Sequence, residues 1–157
     1  MSSQVPPSPD ISSYVSPHRV LVVPGQPAKH HVLSALIALT TDHPAIGDRA
    51  GFAHAIHDRE EVTSTGIGCG VAVPHARLAS VGDFVLSIGL VPQGVDFASQ
   101  DGEKVKILVM MAAPEQERQT YLKVLAGIAG RLKRSETVQA MLAAAGKPER
   151  VIAAFLG

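Results

Sequence analysis

Two candidate strands in the second half of the chain are apolar on both faces, and this feature restricts the fold most. They cover residues 84–91 and 105–112, and positions 107–111 read ILVMM without a polar residue. Successive side chains of a strand point to opposite faces of a sheet, so a strand without a polar face must be covered on both sides. We therefore expect a sheet that lies between two other layers.

Helical patterns flank these strands and can supply the cover. Pro27 suits a first helical turn, and Asp48 can cap a second helix that ends in the charged run 58–61. After Pro114 the pattern is helical to the end of the chain, over a long helix and the segments 137–145 and 148–156. The apolar positions recur at three- and four-residue spacing: Val32, Leu33, Leu36, Ile37 and Leu39, then Phe52, Ala55 and Ile56, then Tyr121, Leu125, Ile128 and Leu132. This alternation of helices and strands predicts an α/β layer fold with the sheet between helices.

The length of the chain fits one domain that follows a short tail. Residues 1–17 are rich in Ser and Pro and have few large apolar side chains, so we predict a flexible N-terminal tail there. Residues 18–23, HRVLVV, form a short run rich in the β-branched residue valine, which predicts an entering strand. The chain has 157 residues, against roughly 100–150 for a typical domain. We therefore place a single domain at residues 18–157.

The charge balance and the hydropathy pattern exclude several classes of function. The chain has 14 basic and 14 acidic side chains, so it has no net charge to attract a polyanion, and we expect no nucleic-acid partner. No leader-like segment is present, and no run approaches the roughly 18 apolar residues of a membrane span, which predicts a cytoplasmic protein without membrane insertion. The single cysteine, Cys69, can form neither an internal disulfide nor a CxxC site, which fits a reducing compartment.

The segment 64–77, STGIGCGVAVPHAR, is the part of the chain whose pattern indicates chemistry. His75 follows Pro74, which fixes its own backbone and favours an extended residue before it, so we expect the imidazole where a strand breaks into an exposed loop. The backbone at Gly66, Gly68 and Gly70 can approach a ligand closely and turn its N–H groups toward an anion.

Several side chains around this segment can add donors for an anion. Ser64 and Thr65 offer hydroxyl groups, and Arg59 or Arg77 can bind two oxygens in a fork. A nucleophilic nitrogen beside such donors indicates phosphoryl transfer, because that reaction requires mainly positioning and charge stabilisation from the protein. A neutral imidazole can attack phosphorus through one nitrogen while an acceptor holds the protonated one.

The order of Arg59, the glycine segment and the Pro74-His75 pair resembles the IIA component of the sugar phosphotransferase system, in the mannitol/fructose class that includes the nitrogen-regulatory IIA proteins. The resemblance runs from about His18 to Leu156 and includes the 94–102 stretch and the break at Pro114. It implies a mixed sheet flanked by helices on both faces, a phosphoryl acceptor at His75 and a guanidinium at Arg59. It also implies a small histidine phosphocarrier protein as donor, a IIB domain or a regulatory target as acceptor or reader, and no metal, nucleotide or other cofactor.

One position departs from the family pattern and leaves alternatives open. The family usually has a second histidine near the start of the long helix, where this chain has Tyr121. A phenol can donate a hydrogen bond to a phosphoryl oxygen but cannot be a cation near neutral pH. Tyr121 is thus a second site residue or only a packed aromatic, and the chain is a working phosphocarrier or an interaction module that no longer cycles phosphate.

Within the phosphocarrier reading, we favour a free-standing regulatory IIA protein, because the chain carries neither a domain with a phosphorylatable cysteine nor a permease. The alternative is a sugar-uptake component that donates phosphate to a IIB cysteine. A His-dependent hydrolase is a weaker reading, because no Ser/Cys–His–acid set is evident.

The remaining histidines and Cys69 have ordinary readings beside functional ones. His54 and His57 lie three apart on a predicted helix, and His30-His31 form a second pair, but neither pair has a third ligand in view, so we expect no metal site. Cys69 is an exposed redox thiol or a small filler, and the sequence favours the filler.

Overall fold

A computed structural model describes residues 10–62 and 64–157 of the chain. In these residues six strands form one mixed sheet with the order β1-β5-β6-β3-β2, and β4 also pairs with β6. The pairs β1/β5, β3/β6 and β4/β6 are parallel, whereas β5/β6 and β2/β3 are antiparallel. The strands are β1 (Val20–Val22), β2 (Gly66–Gly68), β3 (Val71–Ala72), β4 (His75–Leu78), β5 (Val85–Val95) and β6 (Val105–Pro114).

Helices cover both faces of this sheet, as the apolar strands predict. Along β6, Leu108 and Met110 belong to the core under α1 and α2, whereas Val109 and Met111 belong to the core under the other three helices. The helices are α1 (Lys29–Thr41), α2 (Arg49–Val62), α3 (Arg118–Leu132), α4 (Ser135–Ala143) and α5 (Pro148–Leu156). The predicted α/β fold, a mixed sheet flanked by helices on both faces, is confirmed.

The starts of the first two helices can be compared with the predicted ones. Asp48 caps α2 as predicted, since its Oδ1 accepts a hydrogen bond of 2.9 Å from the N–H of Gly51. Helix α1 begins at Lys29 with Ala28 as its N-terminal flanking residue, so Pro27 lies just before the first turn rather than within it. Among the described residues, no helix combines the length and the apolar content that crossing a membrane requires.

Close approach of α1 to the sheet depends on a glycine in β5. A Cβ atom at Gly89 would lie 3.1 Å from Cδ1 of the buried Leu36. One turn later, Oγ1 of Thr40 lies 2.8 Å from Oγ of Ser87, and both side chains are fully buried. This contact fixes α1 on the sheet, with Lys29 at the N-terminal end of the helix.

The N-terminal segment differs from the predicted tail where it is described. Residues 1–9 lie outside the described residues, but Ile11 is only 1 % exposed and belongs to the core on the α3 side of the sheet. The ring of Tyr14 lies 5.2 Å from that of Phe84, and the guanidinium of Arg19 donates to the carbonyl oxygens of Tyr14 and Leu86. Within residues 10–17, Ile11 is therefore buried and Tyr14 packs on the domain, whereas Asp10, Ser12 and Ser13 are exposed.

Candidate functional site

His75 lies at the edge of the sheet, where one strand is interrupted and resumes. Strands β3 and β4 both pair with β6, and Val73 and Pro74 separate them. Pairing resumes at His75, which is opposite Met111, whereas the sequence predicted that the strand would break into a loop there. Since β2 pairs with β3 and not with β4, side chains from both helical layers can approach the half-buried His75.

The imidazole of His75 is held in one orientation by the backbone. Its Nδ1 lies 2.7 Å from the carbonyl oxygen of Val73. A carbonyl oxygen can only accept a hydrogen bond, so Nδ1 carries the proton and Nε2 carries the lone pair of the neutral ring. This is the arrangement that nucleophilic attack through Nε2 requires.

The surroundings of His75 favour its neutral form. Burial lowers the pKa of His75 most, and the positive charge of Arg59 lowers it further. The hydrogen bond to Val73 and the negative charge of Glu60 act in the opposite direction, but the pKa remains below its ordinary value. The neutral form of the ring is therefore favoured near pH 7.

Tyr121 and Arg77 lie on the same side of the sheet as His75. The ring centroids of His75 and Tyr121 are 6.0 Å apart, and the guanidinium carbon of Arg77 lies 5.1 Å from the centroid of the Tyr121 ring. His75 and Arg77 are two residues apart on β4 and therefore share one face of the sheet. Tyr121, in the first turns of α3, thus contacts both the imidazole and a cation that can bind an anion.

Arg59 approaches His75 from the opposite helical layer. It lies near the end of α2, which packs against β4, and it is close enough for its charge to lower the pKa of His75. The structure therefore brings Arg59, His75, Arg77 and Tyr121 to one region of the sheet edge.

The hydroxyl groups of Ser64 and Thr65 are bonded within the protein. Oγ of Ser64 donates to the carbonyl oxygen of Phe97 at 2.6 Å and accepts from the N–H of Gly66 at 3.0 Å. Oγ1 of Thr65 donates to Oε1 of Glu60 at 2.5 Å, and the N–H of Thr65 donates to Oε2 of Glu60 at 2.9 Å. These bonds fix the segment that leads to β3, and phosphate binding by Ser64, Thr65 and Gly66 stays a prediction.

The glycine turn forms an anion-binding backbone, but it binds an acid of the same chain. Gly68, Cys69 and Gly70 have φ angles of 88°, 58° and 79°, and the N–H of Cys69 donates to Oδ2 of Asp101 at 3.0 Å. This hydrogen bond is the main reason why the pKa of Asp101 is lowered. Successive left-handed residues present N–H groups to a carboxylate in the same way as to a phosphate.

This turn is also distant from the imidazole. Val71, next to the turn, pairs with Ile107, whereas His75 pairs with Met111, four residues further along β6. At about 3.3 Å per residue the separation is about 13 Å. The turn and the imidazole therefore lie at different positions along β6, and phosphate binding by Gly68 and Gly70 stays a prediction.

The sequence did not predict the role of Glu60, which is buried beside the site. Its Oε2 lies 2.7 Å from Nζ of Lys29, and its carboxylate accepts both hydrogen bonds from Thr65. Glu60 continues the buried stripe of Phe52 and Ile56 at four-residue spacing. An acidic residue on an apolar helical stripe was the signal that could have found it.

Three further histidines, His30, His54 and His57, make contacts away from His75. Nε2 of His54 lies 3.0 Å from Oδ2 of Asp58, while the ring of His57 stacks on that of His30 with a centroid distance of 4.8 Å. Burial and the neighbouring His30 lower the pKa of His57. Within residues 10–62 and 64–157, no three His, Cys, Asp or Glu side chains are arranged to hold a metal ion.

Comparison with known proteins finds relatives of this chain in bacteria. Over 134 residues the chain is 31% identical to the fructose-specific EIIABC component of the phosphotransferase system of Bacillus subtilis. The match covers 85% of this chain but 21% of that protein. The chain is also 31% identical over 134 residues to the nitrogen regulatory protein of Bradyrhizobium diazoefficiens, with 85% of this chain and 86% of that protein covered.

Two solved structures share the fold. The nitrogen regulatory protein IIA-Ntr from Neisseria meningitidis superposes with a TM-score of 0.81 at 24% identity, over 92% of this chain and 98% of that one. The mannitol enzyme IIA of Escherichia coli, in its complex with phosphorylated enzyme IIB, superposes with a TM-score of 0.74 at 17% identity. The superposition covers 90% of this chain and 96% of that one.

The family comparison covers almost the entire described chain. Residues 13–156 match the family described as the phosphoenolpyruvate-dependent sugar phosphotransferase system, EIIA 2. The match begins before the predicted domain boundary at residue 18 and includes the packed segment around Tyr14. The chain belongs to the EIIA 2 family of the phosphoenolpyruvate-dependent sugar phosphotransferase system.

Proposed function

We propose that this chain is a histidine phosphocarrier in which Nε2 of His75 accepts a phosphoryl group from a small histidine phosphocarrier protein. The observation that supports this most is the 2.7 Å contact between Nδ1 of His75 and the carbonyl oxygen of Val73, which leaves Nε2 with its lone pair. The lowered pKa of His75 keeps that lone pair available near neutral pH.

In the transfer step, the Nε2 lone pair forms a bond to phosphorus while the N–P bond of the donor breaks. The electron pair of that bond returns to the imidazole nitrogen of the donor. The ring of His75 becomes positive as the new bond forms, and the Nδ1–H bond to Val73 stabilises this charge, as it stabilises the protonated ring. The reaction needs no metal, nucleotide or other cofactor.

Two guanidinium groups are the candidates for contact with the phosphoryl oxygens. Arg59 approaches from α2 and Arg77 from β4, and a planar guanidinium can bind two oxygens at once. The hydroxyl of Tyr121 is a third candidate donor. By contrast, Ser64, Thr65 and Gly66 would act by fixing the backbone before β3 rather than by binding phosphate.

Within this function, we favour a free-standing protein of the nitrogen-regulatory kind that acts in the cytoplasm. The chain is 31% identical to the Bradyrhizobium diazoefficiens protein over 86% of that protein. It is 27% identical to the fructose-specific EIIA component of Haloferax volcanii over 90% of that protein, and its match to the fructose-specific EIIABC component is confined to 21% of that protein. The sugar-uptake alternative has support from that fructose-specific relative and from the complex of mannitol enzyme IIA with phosphorylated enzyme IIB. In that alternative, a IIB cysteine would receive the phosphoryl group.

Intact mass measurement tests the phosphocarrier function directly. The full chain is incubated with phosphoenolpyruvate and the two general phosphotransferase proteins, and we expect one added phosphate that is labile in acid and stable in base. His75→Ala should abolish it, while the exposed His54→Ala, a matched control, should not. Equal phosphorylation of His75→Ala and wild type would refute the assignment.

A second step separates the regulatory protein from the sugar carrier. The phosphorylated chain is mixed with purified fructose- or mannitol-type IIB domains, and loss of its phosphate is followed over time. Retention of phosphate supports a regulatory protein, whereas transfer at a rate comparable with donor loading supports sugar uptake. An interaction module that no longer cycles phosphate would already have failed the first test.

A further inference from the structure

Glu60 is a buried carboxylate that contacts Lys29 on one side and Thr65, which leads toward His75, on the other. Only 5 % of its side chain is exposed, and Lys29 neutralises it across a distance of 2.7 Å. Both of its oxygens also accept hydrogen bonds from Thr65, one from the backbone N–H and one from the hydroxyl. A carboxylate that binds two groups of one residue restricts that residue more strongly than a single contact does.

Thr65 passes this restraint to the backbone that holds the imidazole. The carbonyl oxygen of Thr65 accepts a hydrogen bond of 3.1 Å from the N–H of Val73. The carbonyl oxygen of the same Val73 accepts from Nδ1 of His75 at 2.7 Å. Four successive contacts therefore join Lys29 to the imidazole, through Glu60, Thr65 and Val73.

The peptide at Val73 needs such a restraint because regular pairing is interrupted there. Val73 and Pro74 lie between β3 and β4, and Pro74 has no N–H to donate. The contact with Thr65 therefore fixes Val73 through the N–H of the preceding peptide, and so restrains from one side the residue whose carbonyl oxygen accepts from Nδ1 of His75.

We propose that Glu60, held by Lys29, is a positioning residue that fixes the Val73 carbonyl so that His75 keeps its proton on Nδ1 and presents Nε2 as the nucleophile. This inference rests on the proposed phosphocarrier function for its consequence but not for its structural content. Glu60 does not contact the phosphoryl group in this arrangement. Its charge also acts on the ring, since it opposes the lowering of the His75 pKa.

The tautomer of His75 is the direct readout. The full chain is labelled with ¹⁵N-histidine, and long-range ¹H–¹⁵N correlation spectra at pH 8 identify the protonated nitrogen of the neutral ring. We expect the Nδ1–H form in wild type and in the exposed neighbour control Glu61→Gln. Glu60→Ala should show a clear fraction of the Nε2–H form, and Lys29→Met a smaller change in the same direction.

The rate of phosphorylation should follow the tautomer. For Glu60→Ala we expect the maximal rate to fall by about tenfold or more, the effect of misplaced reacting groups, with the KM for the donor protein changed less than about twofold. Glu60→Gln retains an acceptor for only one of the two Thr65 donors, so the fraction of the Nε2–H form should lie between those of wild type and Glu60→Ala. It also serves as the test if Glu60→Ala fails to fold, because that fraction should still exceed the wild-type value.

The outcomes separate this inference from the proposed function. A wild-type tautomer and a wild-type rate in Glu60→Ala, or in Glu60→Gln and Lys29→Met if the alanine variant does not fold, would overturn the positioning role and leave the phosphocarrier function intact. A tautomer change in a chain whose wild type takes up no phosphate would refute the function and retain the structural link.

Discussion

Tyr121 offers the sharpest test of how the site stabilises a phosphoryl group. Its ring contacts both His75 and Arg77, with the distances of 6.0 Å and 5.1 Å given above. Two contributions can therefore be separated: the ring as a platform for the guanidinium, and the hydroxyl as a donor to phosphate. Tyr121→Phe removes only the second, and Tyr121→Leu removes both.

The expected magnitudes differ enough to distinguish them. A hydrogen bond to a charged group contributes about 1.5–3 kcal/mol, and about 1.4 kcal/mol corresponds to a tenfold change in rate. Loss of the hydroxyl should therefore slow phosphoryl transfer by about 10- to 150-fold if it binds the phosphoryl group only in the transition state. A cation–π contact at a partly exposed site contributes about 0.5–1 kcal/mol, so loss of the ring should add about 2- to 5-fold.

Quenched-flow measurement of exchange with the phosphorylated donor protein gives these rates. Tyr121→His should raise the rate, because an imidazole can carry the positive charge that a phenol lacks near neutral pH. Tyr14→Phe is the matched control, since its ring packs against Phe84. Wild-type rates in all three Tyr121 variants would refute the reasoning and reduce this residue to packing.

Four further outcomes are expected. The lowered pKa of His75 should place the midpoint of the loss of phosphorylation rate at acid pH below the ordinary histidine value of about 6.5, because protonation removes the Nε2 lone pair; a midpoint above 6.5 would contradict this. Arg59→Lys should slow phosphorylation with little change in Tm, since an ammonium cannot bind two oxygens in a fork; equal rates would remove Arg59 from the site. Gly89→Val should destabilise the fold by about 1–3 kcal/mol in chemical denaturation, because its Cβ would lie 3.1 Å from Leu36, while Gly130→Ala, with open space at its Cβ, should stabilise it. Elemental analysis of purified protein should find no stoichiometric transition metal, and a bound metal lost in His54→Ala would contradict the expectation.

The sequence predicted the fold well because its main signals are local. The lack of a polar face in β6 already required cover on both sides, and the structure divides its alternate residues between two cores. The tail prediction differed at residues 10–17 because composition averages over a segment, whereas a single well-placed Ile11 can anchor it. The composition of a segment does not show which of its side chains will be buried.

The sequence showed which residue types form the candidate site but not the groups with which they form hydrogen bonds. The Pro74-His75 pair and Arg59 are visible in the sequence, yet Ser64 bonds to Phe97 and Cys69 bonds to Asp101, which lie 33 and 32 residues away along the chain. Hydroxyl and glycine patterns of this kind are equally suited to an external anion and to an internal carboxylate or carbonyl. Only the tertiary fold decides which acceptor is present.

The two adjacent residues Arg59 and Glu60 show how the site can meet opposing requirements. Nucleophilic attack needs a neutral ring, which Arg59 and burial favour by lowering the pKa of His75. The ring becomes positive once the N–P bond forms, and the Val73 hydrogen bond and the charge of Glu60 then stabilise it. A site with Arg59 alone would favour attack but leave the positive ring with only the Val73 hydrogen bond to stabilise it, whereas a site with Glu60 alone would favour protonation before attack. The opposed charges of Arg59 and Glu60 at the end of α2 therefore suit the proposed function, in which the ring must both accept and release a phosphoryl group.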